Sequence, residues 1–325
     1  MAGGVGGSRF VRGVRQAYPD ASVTVIVNTA DDIMLHGLHI SPDLDTMMYS
    51  LGGAIDPERG WGRADETWRV GAELAAYGVE PSWFGLGDLD LATHLVRTQM
   101  LDAGYPLSAV TQALCTRWLH DSDQPQAHLL RLLPMTDDRV ETHVVIDDPD
   151  AASGRRAVHF QEYWVKLHAE PEARQVLEVG IDRARPAPGV LEAISTADLV
   201  LIAPSNPVVS IGPVLAVPGI REALRSAAAP VVGFSGIIGG APVLGMAHRL
   251  LPAIGVEVDA GSVGLHYGAR SADGVLDAWL VDSADADTLP RLQAAGLVAA
   301  STDLIMNEPA ATADFIQYGV KVAAA

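Results

Sequence analysis

The chain has one cysteine, Cys115, in 325 residues. An internal disulfide is therefore excluded, and the usage fits a reducing compartment. Basic residues are scarce: 22 Lys and Arg stand against 40 Asp and Glu, a formal net charge of −18. A surface this acidic repels nucleic-acid backbones and anionic lipid, which removes both as expected partners. An anionic small molecule would need a local basic or metal-filled pocket within that field. Long apolar runs are absent as well. Gly and Pro break the apolar stretches short of a membrane span, and the N-terminus has no apolar signal core. The location expected from these absences is cytoplasmic.

The glycine-rich opening MAGGVGGS also lacks things. Gly3, Gly4, Gly6 and Gly7 mark backbone that turns tightly or approaches a ligand with no Cβ in the way. A dinucleotide fingerprint requires a third glycine at position 9, which is Arg9. A Walker phosphate loop requires Gly-Lys-Ser/Thr, whereas Gly7 is followed by Ser8 and Arg9. NAD chemistry and ATP hydrolysis by the common loops are thus unsupported. What remains is a helix start whose N–H groups favour an anion, with Arg9 adding a guanidinium fork. No apolar strand precedes this turn. Either such a strand lies upstream of Met1, or the sheet goes without its central strand.

What is present reads as an α/β chain. Hydrophobic residues make up 49% of it, and the mean hydropathy is +0.19. Arg9 to Ala17 has helical character, and Val23 to Asn28 reads as a strand ending in the polar Thr29-Ala30-Asp31-Asp32. From position 36 to 133 the texture is helical, with helices expected at 65–77, 91–103 and 107–119. Strand character returns at 141–146, 157–160, 199–203 and 230–234, and more weakly at 277–281 and 297–299. Helices are expected at 190–195 and 220–227. Asn307, followed by Glu308 and Pro309, fits the start of a closing helix. The resulting division is a core of residues 1–35 and 134–325 around an insertion at 36–133.

Three constellations could carry chemistry. The first holds His36-Gly37, then Ser41-Pro42-Asp43-Leu44-Asp45-Thr46, then Arg59-Gly60-Trp61-Gly62, then Asp65-Glu66-Thr67-Trp68. Asp43 and Asp45 point the same way if the backbone is extended. Paired carboxylates facing a pocket need a cation or protons, and hard oxygen ligands suit Mg²⁺. The competing reading is a solvated Asx turn. The second is Ala203-Pro204-Ser205-Asn206-Pro207, continuing to Ser210. It follows a buried strand, where α/β proteins build sites, and its prolines stiffen polar tips. The third, Gly85-Leu86-Gly87-Asp88-Leu89-Asp90, precedes a helix that one of its aspartates can cap. His94 and Arg97 then lie one turn apart, and His94 reads as a core-facing or surface histidine. Cys115 reads as buried filler, and the aromatic stretch at 159–164 as packing.

In order, AGGVGGSRF, NTADDIMLHGL, SPDLDTMMYSLGG, RGWGRADETW, GDLDLATHLVRTQML and APSNPVVSIGPVLAVPGI closely resemble motifs of the CofD family. The actinobacterial branch, called FbiA, is the most similar, and the resemblance covers essentially the whole chain. It implies a Rossmann-like three-layer α/β core with a mostly parallel sheet, a smaller inserted domain and a homodimer. It also implies a 2-phospho-L-lactate or phosphoenolpyruvate transferase. Such enzymes pass a phospho-acid from a GDP-linked three-carbon acid to the deazaflavin Fo, releasing GMP and forming the precursor of coenzyme F-420, with Mg²⁺.

By their match to the family motifs, Asp45 and Asp43 are the expected catalytic pair, with Asp45 on the acceptor hydroxyl and Thr46 beside it. Asp43, Asp45 and Asp65 are expected to hold Mg²⁺. Gly3, Gly4, Gly6, Gly7, Arg9, Ser205, Asn206 and Ser210 are expected at the phosphates and guanosine, and Arg59 and Arg63 at the acidic substrate. Relatives usually carry Lys or Arg in the third constellation's turn, where this chain has Leu89. The rival reading is a non-catalytic nucleotide- or sugar-nucleotide-binding regulator, which would have no use for the intact DLDT and RGWGRADETW motifs.

Overall fold

Short apolar runs, each followed by a helix or a long crossover, build one parallel sheet. The computed structural model describes residues 1–120 and 129–324. In it β1 (Val23–Val27) pairs parallel with β4 (Leu130–Pro134). The strands β8 (Val200–Ile202), β9 (Val231–Phe234), β12 (Ala278–Asp282) and β13 (Val298–Thr302) form a second parallel set in the order β13-β12-β9-β8.

Residues 1–3 join the two sets. Ala2 pairs parallel with Val27: its N–H donates to Ile26 O at 3.0 Å, and the Asn28 N–H donates to its carbonyl at 3.3 Å. On the other side the Met1 nitrogen donates to Leu201 O at 2.8 Å, and the Ala203 N–H donates to Met1 O at 3.1 Å. The central place in the sheet is thus occupied only at its C-terminal end, by an isolated bridge at Ala2, and among the described residues no strand fills the rest of it. The spatial order is β4, β1, residues 1–3, β8, β9, β12, β13. The chain runs outward in one direction from residues 1–3 and then in the other from β8, so the gap between them is the topological switch point. In open α/β sheets that crevice takes the ligand.

Two hairpins, β2 (Ile33–Leu35) with β3 (Leu38–Ile40) and β10 (Ile237–Ile238) with β11 (Ala241–Pro242), lie at the same edge. Their central pairs, His36-Gly37 and Gly239-Gly240, all have positive φ, the geometry that tight hairpins require. An outer antiparallel sheet has the order β6 (Arg155–His159), β5 (Glu141–Asp147), β7 (Ala173–Val179).

Helix α1 (Gly4–Ala17) starts inside the glycine turn, five residues earlier than expected. It packs on the closing helix α12 (Pro309–Ala323) so tightly that a Cβ at Gly13 would lie 2.2 Å from Thr312 Cγ2. Phe10, Phe234 and Phe315 lock α1, β9 and α12 together, with ring centroids 5.1 to 6.2 Å apart. Glu308, not Asn307, stands at the N-cap of α12, and no side chain caps it.

Between β3 and β4 run α2 (Pro42–Leu51), α3 (Arg69–Ala76), α4 (Asp88–Asp102) and α5 (Leu107–Cys115), followed by a π turn at Thr116–His120. Residues 121–128 of the expected insertion lie outside the described residues. The remaining helices, α6 (Val190–Ser195), α7 (Ile211–Ala216), α8 (Ile220–Ser226), α9 (Ala247–Leu250), α10 (Ala260–Tyr267) and α11 (Leu289–Ala294), belong to the second half. Among the described residues, no helix is long and apolar enough to cross a membrane.

The DLDT segment is helical, which corrects the extended reading. Pro42 at the first helical position presets φ, and the Asp45 N–H donates to Ser41 O at 2.9 Å. Two residues on a helix are about 200° apart. Asp43 and Asp45 therefore point to different neighbours.

Candidate active site

The switch point is closed by one serine. Ser205, in the loop after β8, accepts from the Gly3 N–H at 3.2 Å and donates to Gly3 O at 2.9 Å, across 202 residues of chain. The glycines are what permit this approach. A Cβ at Gly7 would lie 2.9 Å from both Ala2 Cβ and Ser205 Oγ. One at Gly3 would lie 2.5 Å from Asp43 Oδ2 and 2.8 Å from Ser210 Cβ. The structure thus brings Gly3, Gly4, Asp43, Ser205 and Ser210 together. Gly6 faces Pro204 O, where a Cβ would stand at 3.5 Å. Asn206 spends its side-chain carbonyl on the loop itself, accepting from the Val208 and Val209 N–H groups.

Near this junction Asp31 and Asp43 are buried and Asp32 is half-buried, while Asp45 is buried on the side of α2 that meets α4. Asn28, at the end of β1, organises them. Its Nδ2 donates to Asp43 Oδ2 at 3.0 Å and to Val209 O at 3.1 Å, tying α2 to the 204–210 loop. Burial pushes the Asp43 carboxyl up to about 6, against hydrogen bonds from Asn28 and the Gly4 N–H. Burial raises Asp31 well above the usual carboxylate range, and the charges of Asp43 and Asp32 add to it. Asp32 is also raised, mainly by burial, while Ser41 Oγ donates to its Oδ2 at 2.6 Å. Asp31 Oδ1, Asp32 Oδ1 and Asp45 Oδ2 are buried with no hydrogen-bond partner. Buried like charges with orphaned oxygens are costly, and a hard divalent cation satisfies both deficits. Asp31 and Asp43, close enough for the charge of one to raise the other, could hold such an ion as a pair, whereas no three of these four carboxylates bring their oxygens within 4.8 Å of one another.

Asp45 turns the other way, toward α4. Its Oδ1 is paired with Arg97 Nη2, and its Oδ2 lies 3.7 Å from His94 Nδ1. Burial raises its carboxyl, and Arg97 and His94 oppose that rise. Asp45, Asp90 and His94 are the one group of three or more His, Cys, Asp or Glu side chains, among the described residues, whose ligating atoms lie within 4.8 Å of one another. Thr46 is buried beside Asp45 in α2. Asp65 is exposed in a left-handed turn (φ 57°), and that group does not include it.

The arginines expected at the substrate are held in their own loop. Arg59 pairs with Asp56 at 2.9 Å, donates to Arg63 O at 2.9 Å, and lies 5.5 Å from the ring centroids of both Trp61 and Trp68. Arg63 donates to Leu89 O at 3.2 Å and stands 4.9 Å above Trp118. A cation thus reaches the backbone of the turn where Leu89 replaces one. Two motif acids cap each other's helices: Asp88 accepts from the Arg69 and Val70 N–H groups of α3, and Glu66 accepts from the Leu89 and Asp90 N–H groups of α4. Arg9 is exposed on the α1 face opposite Gly7. With Val5, Ser8, Arg12, Gly60 and Asn307 it lines a cavity of about 290 Å³.

A family model described as "2-phospho-L-lactate transferase CofD" matches residues 1–317. The chain belongs to the CofD family. A protein of Streptomyces coelicolor named phosphoenolpyruvate transferase is 58% identical over 323 residues, covering 99% of this chain and 97% of that protein. Proteins of the same name from Nocardia farcinica (55%; 99% and 93% covered) and Mycobacterium sp. strain JLS (54%; 99% and 97%) are similarly close. The crystal structure of protein BH3568 from Bacillus halodurans superposes with a TM-score of 0.61 at 19% identity, covering 98% of this chain and 97% of that one, and supports the fold alone.

The family therefore makes this a transferase of phospho-acids. Sequence reasoning missed Asn28, Asp31, Asp32, Asp90 and Arg97 as site residues, and it read His94 as a core-facing or surface histidine. The signals were there: NTADD ends a strand on two acids, and Asp90, Thr93, His94 and Arg97 share one helical face.

Proposed function

We propose that this protein passes a phospho-acid, with phosphoenolpyruvate the favoured group, from a GDP-linked donor to the ribityl hydroxyl of Fo. GMP leaves, and the product is the precursor of coenzyme F-420. The observation that carries this reading is the meeting of the Gly3–Ser205 junction with Asp43, beside carboxylates of which Asp31, Asp32 and Asp45 each keep a buried oxygen with no hydrogen-bond partner. The names of the relatives support the enolpyruvyl group over lactyl.

The reaction is an in-line exchange at the phosphorus bearing the acid: the hydroxyl oxygen bonds to phosphorus, and GMP departs with the electron pair of the broken P–O bond. Such chemistry runs mostly on positioning and charge neutralisation. The start of α1, where the Gly3 and Gly4 N–H groups already donate to Ser205 and Asp43, suits the diphosphate together with Ser205 and Ser210. Asp45 Oδ2, buried and unpartnered, suits the acceptor hydroxyl and its proton. Asp43 and Asp31 would hold Mg²⁺, which shields the diphosphate charge from the incoming oxygen. Asp65 stays outside that set. A homodimer and a cytoplasmic location complete the proposal.

The test is a product assay with Fo, the GDP-linked enolpyruvyl donor and Mg²⁺. Equal amounts of GMP and modified Fo are expected. GDP binding with neither product would favour the regulator. A second expectation concerns the junction. Gly3→Ala forces a Cβ against Asp43 and Ser210, so GDP affinity, measured by calorimetry, should fall at least about tenfold, the equivalent of one lost hydrogen bond. Unchanged affinity would remove the diphosphate from this junction.

A further inference from the structure

We infer that Arg97 is a positioning residue for Asp45, held in register by a chain of groups running Tyr49–Asp90–His94, in which Tyr49 and His94 are buried and Asp90 is half-buried. This rests on the reading of Asp45 as the group that meets the acceptor hydroxyl. One face of α4 presents Asp90, Thr93, His94 and Arg97, at i, i+3, i+4 and i+7, to Asp45 and Tyr49 on α2. Arg97 and His94 are 2% and 1% exposed.

Every link in the chain is a polar contact. The Tyr49 hydroxyl donates to Asp90 Oδ1 at 2.6 Å and sits 2.8 Å from Thr93 Oγ1. Asp90 Oδ2 stands 3.1 Å from His94 Nε2, a close approach that leaves this buried nitrogen without a hydrogen bond. His94 Nδ1 accepts from Arg97 Nη1 at 3.1 Å, which assigns the ring hydrogen to Nε2, facing Asp90. Arg97 Nη1 also donates to His39 O at 3.3 Å, and Nη2 is paired with Asp45 Oδ1. The guanidinium is thus held by two contacts, His94 and His39 O, besides the one to Asp45. Only one carboxylate oxygen, Oδ1, is consumed, and Oδ2 remains unpartnered.

Stability does not account for this arrangement. A buried ion pair is often no more stabilising than apolar residues of the same volume. An apolar seam between α2 and α4 would pack these helices equally well. What the polar seam adds is a fixed direction for one carboxylate oxygen, and a displacement of about 1 Å at a reacting group costs roughly 10²-fold in rate. Arg97 is suited to this because its planar fork binds His94 and Asp45 at once, which a lysine cannot do.

Arg97→Lys, which keeps the charge and loses the fork, should lower kcat roughly 30-fold and leave the donor KM within twofold. Asp90→Asn, two links away, should lower kcat in the same manner and to a smaller extent. The decisive readout is the double-mutant cycle. In an Asp45→Asn background, Arg97→Lys should cost less than about twofold, because its effect passes through Asp45. A thermal melt of each variant reports folding separately. If Arg97→Lys lowers kcat by the same factor with and without Asp45, or if both Arg97→Lys and Asp90→Asn turn over at the wild-type rate, the positioning role is overturned. If Asp45→Asn itself keeps full turnover, the reading of Asp45 fails first, whatever Arg97 does.

Discussion

Replacing Asp45 with Asn is expected to lower kcat by about 10³-fold with the chain still folded. Asn keeps an oxygen for Arg97, so the buried guanidinium is not left without an acceptor. What it loses is the ability to take a proton and to carry charge at the orphaned oxygen. Steady-state kinetics with Fo and the GDP-linked donor, beside a circular dichroism melt, decides the matter. Turnover within threefold of wild type would exclude Asp45 as the group that receives the proton.

The second large effect runs in the opposite direction on stability. Asp43→Asn should raise Tm at pH 7.5 by several degrees while abolishing transfer. The Asp43 carboxyl is pushed from 3.8 to about 6 in the folded chain, chiefly by burial. A group raised in this way favours the fold while protonated; that contribution is complete below about pH 4 and lost as pH climbs through 6. At pH 7.5 the buried charge therefore costs on the order of 3 kcal/mol, and the amide avoids that cost. Asp31, Asp32 and Asp45 are raised as well and act in the same sense. The difference in Tm between variant and wild type should thus widen from pH 5 to pH 7.5. Mg²⁺ should raise the wild-type Tm more at pH 7.5 than at pH 5, and the variant should lose most of that response. Melting curves at both pH values check it; a variant less stable than wild type at pH 7.5 would contradict the account.

Such a trade is what a site built for a cation predicts. Carboxylates collected at a sheet edge destabilise the unliganded fold, and ligand binding repays the cost. Here the collection is enforced by Asn28, which holds Asp43 of α2 and the 204–210 loop to the end of β1.

Much of this was legible in the residues, and the failures have physical causes. The helix at 190–195 matches α6, and the strand at 230–234 lies within one residue of β9, because Gly, Pro and apolar periodicity mark both edges. Strand β4 was hidden by Arg131 and Pro134 at the end of a helical stretch. Strand β7 was hidden because it is largely exposed and carries charges on an outer sheet. The pairing of Asp43 with Asp45 failed for a local reason, Pro42 starting a helix. The seam between α2 and α4 failed for a nonlocal one. The spacing of Asp90, His94 and Arg97 shows a polar face, but only the packing of α2 shows that the face is buried. Likewise Gly3 and Ser205 are neighbours only because residues 1–3 and β8 flank the switch point, which no local pattern encodes.

The measurement that tests the central claim most directly is a fluorescence titration of Fo into the protein with GDP and Mg²⁺ present, compared between wild type and Asp45→Ala. Saturable binding to the wild type that weakens at least about tenfold in the variant, one lost charge-assisted hydrogen bond, is the expected result. Equal binding to both proteins, or no binding of Fo while GDP still binds, would contradict the assignment of these carboxylates to the acceptor.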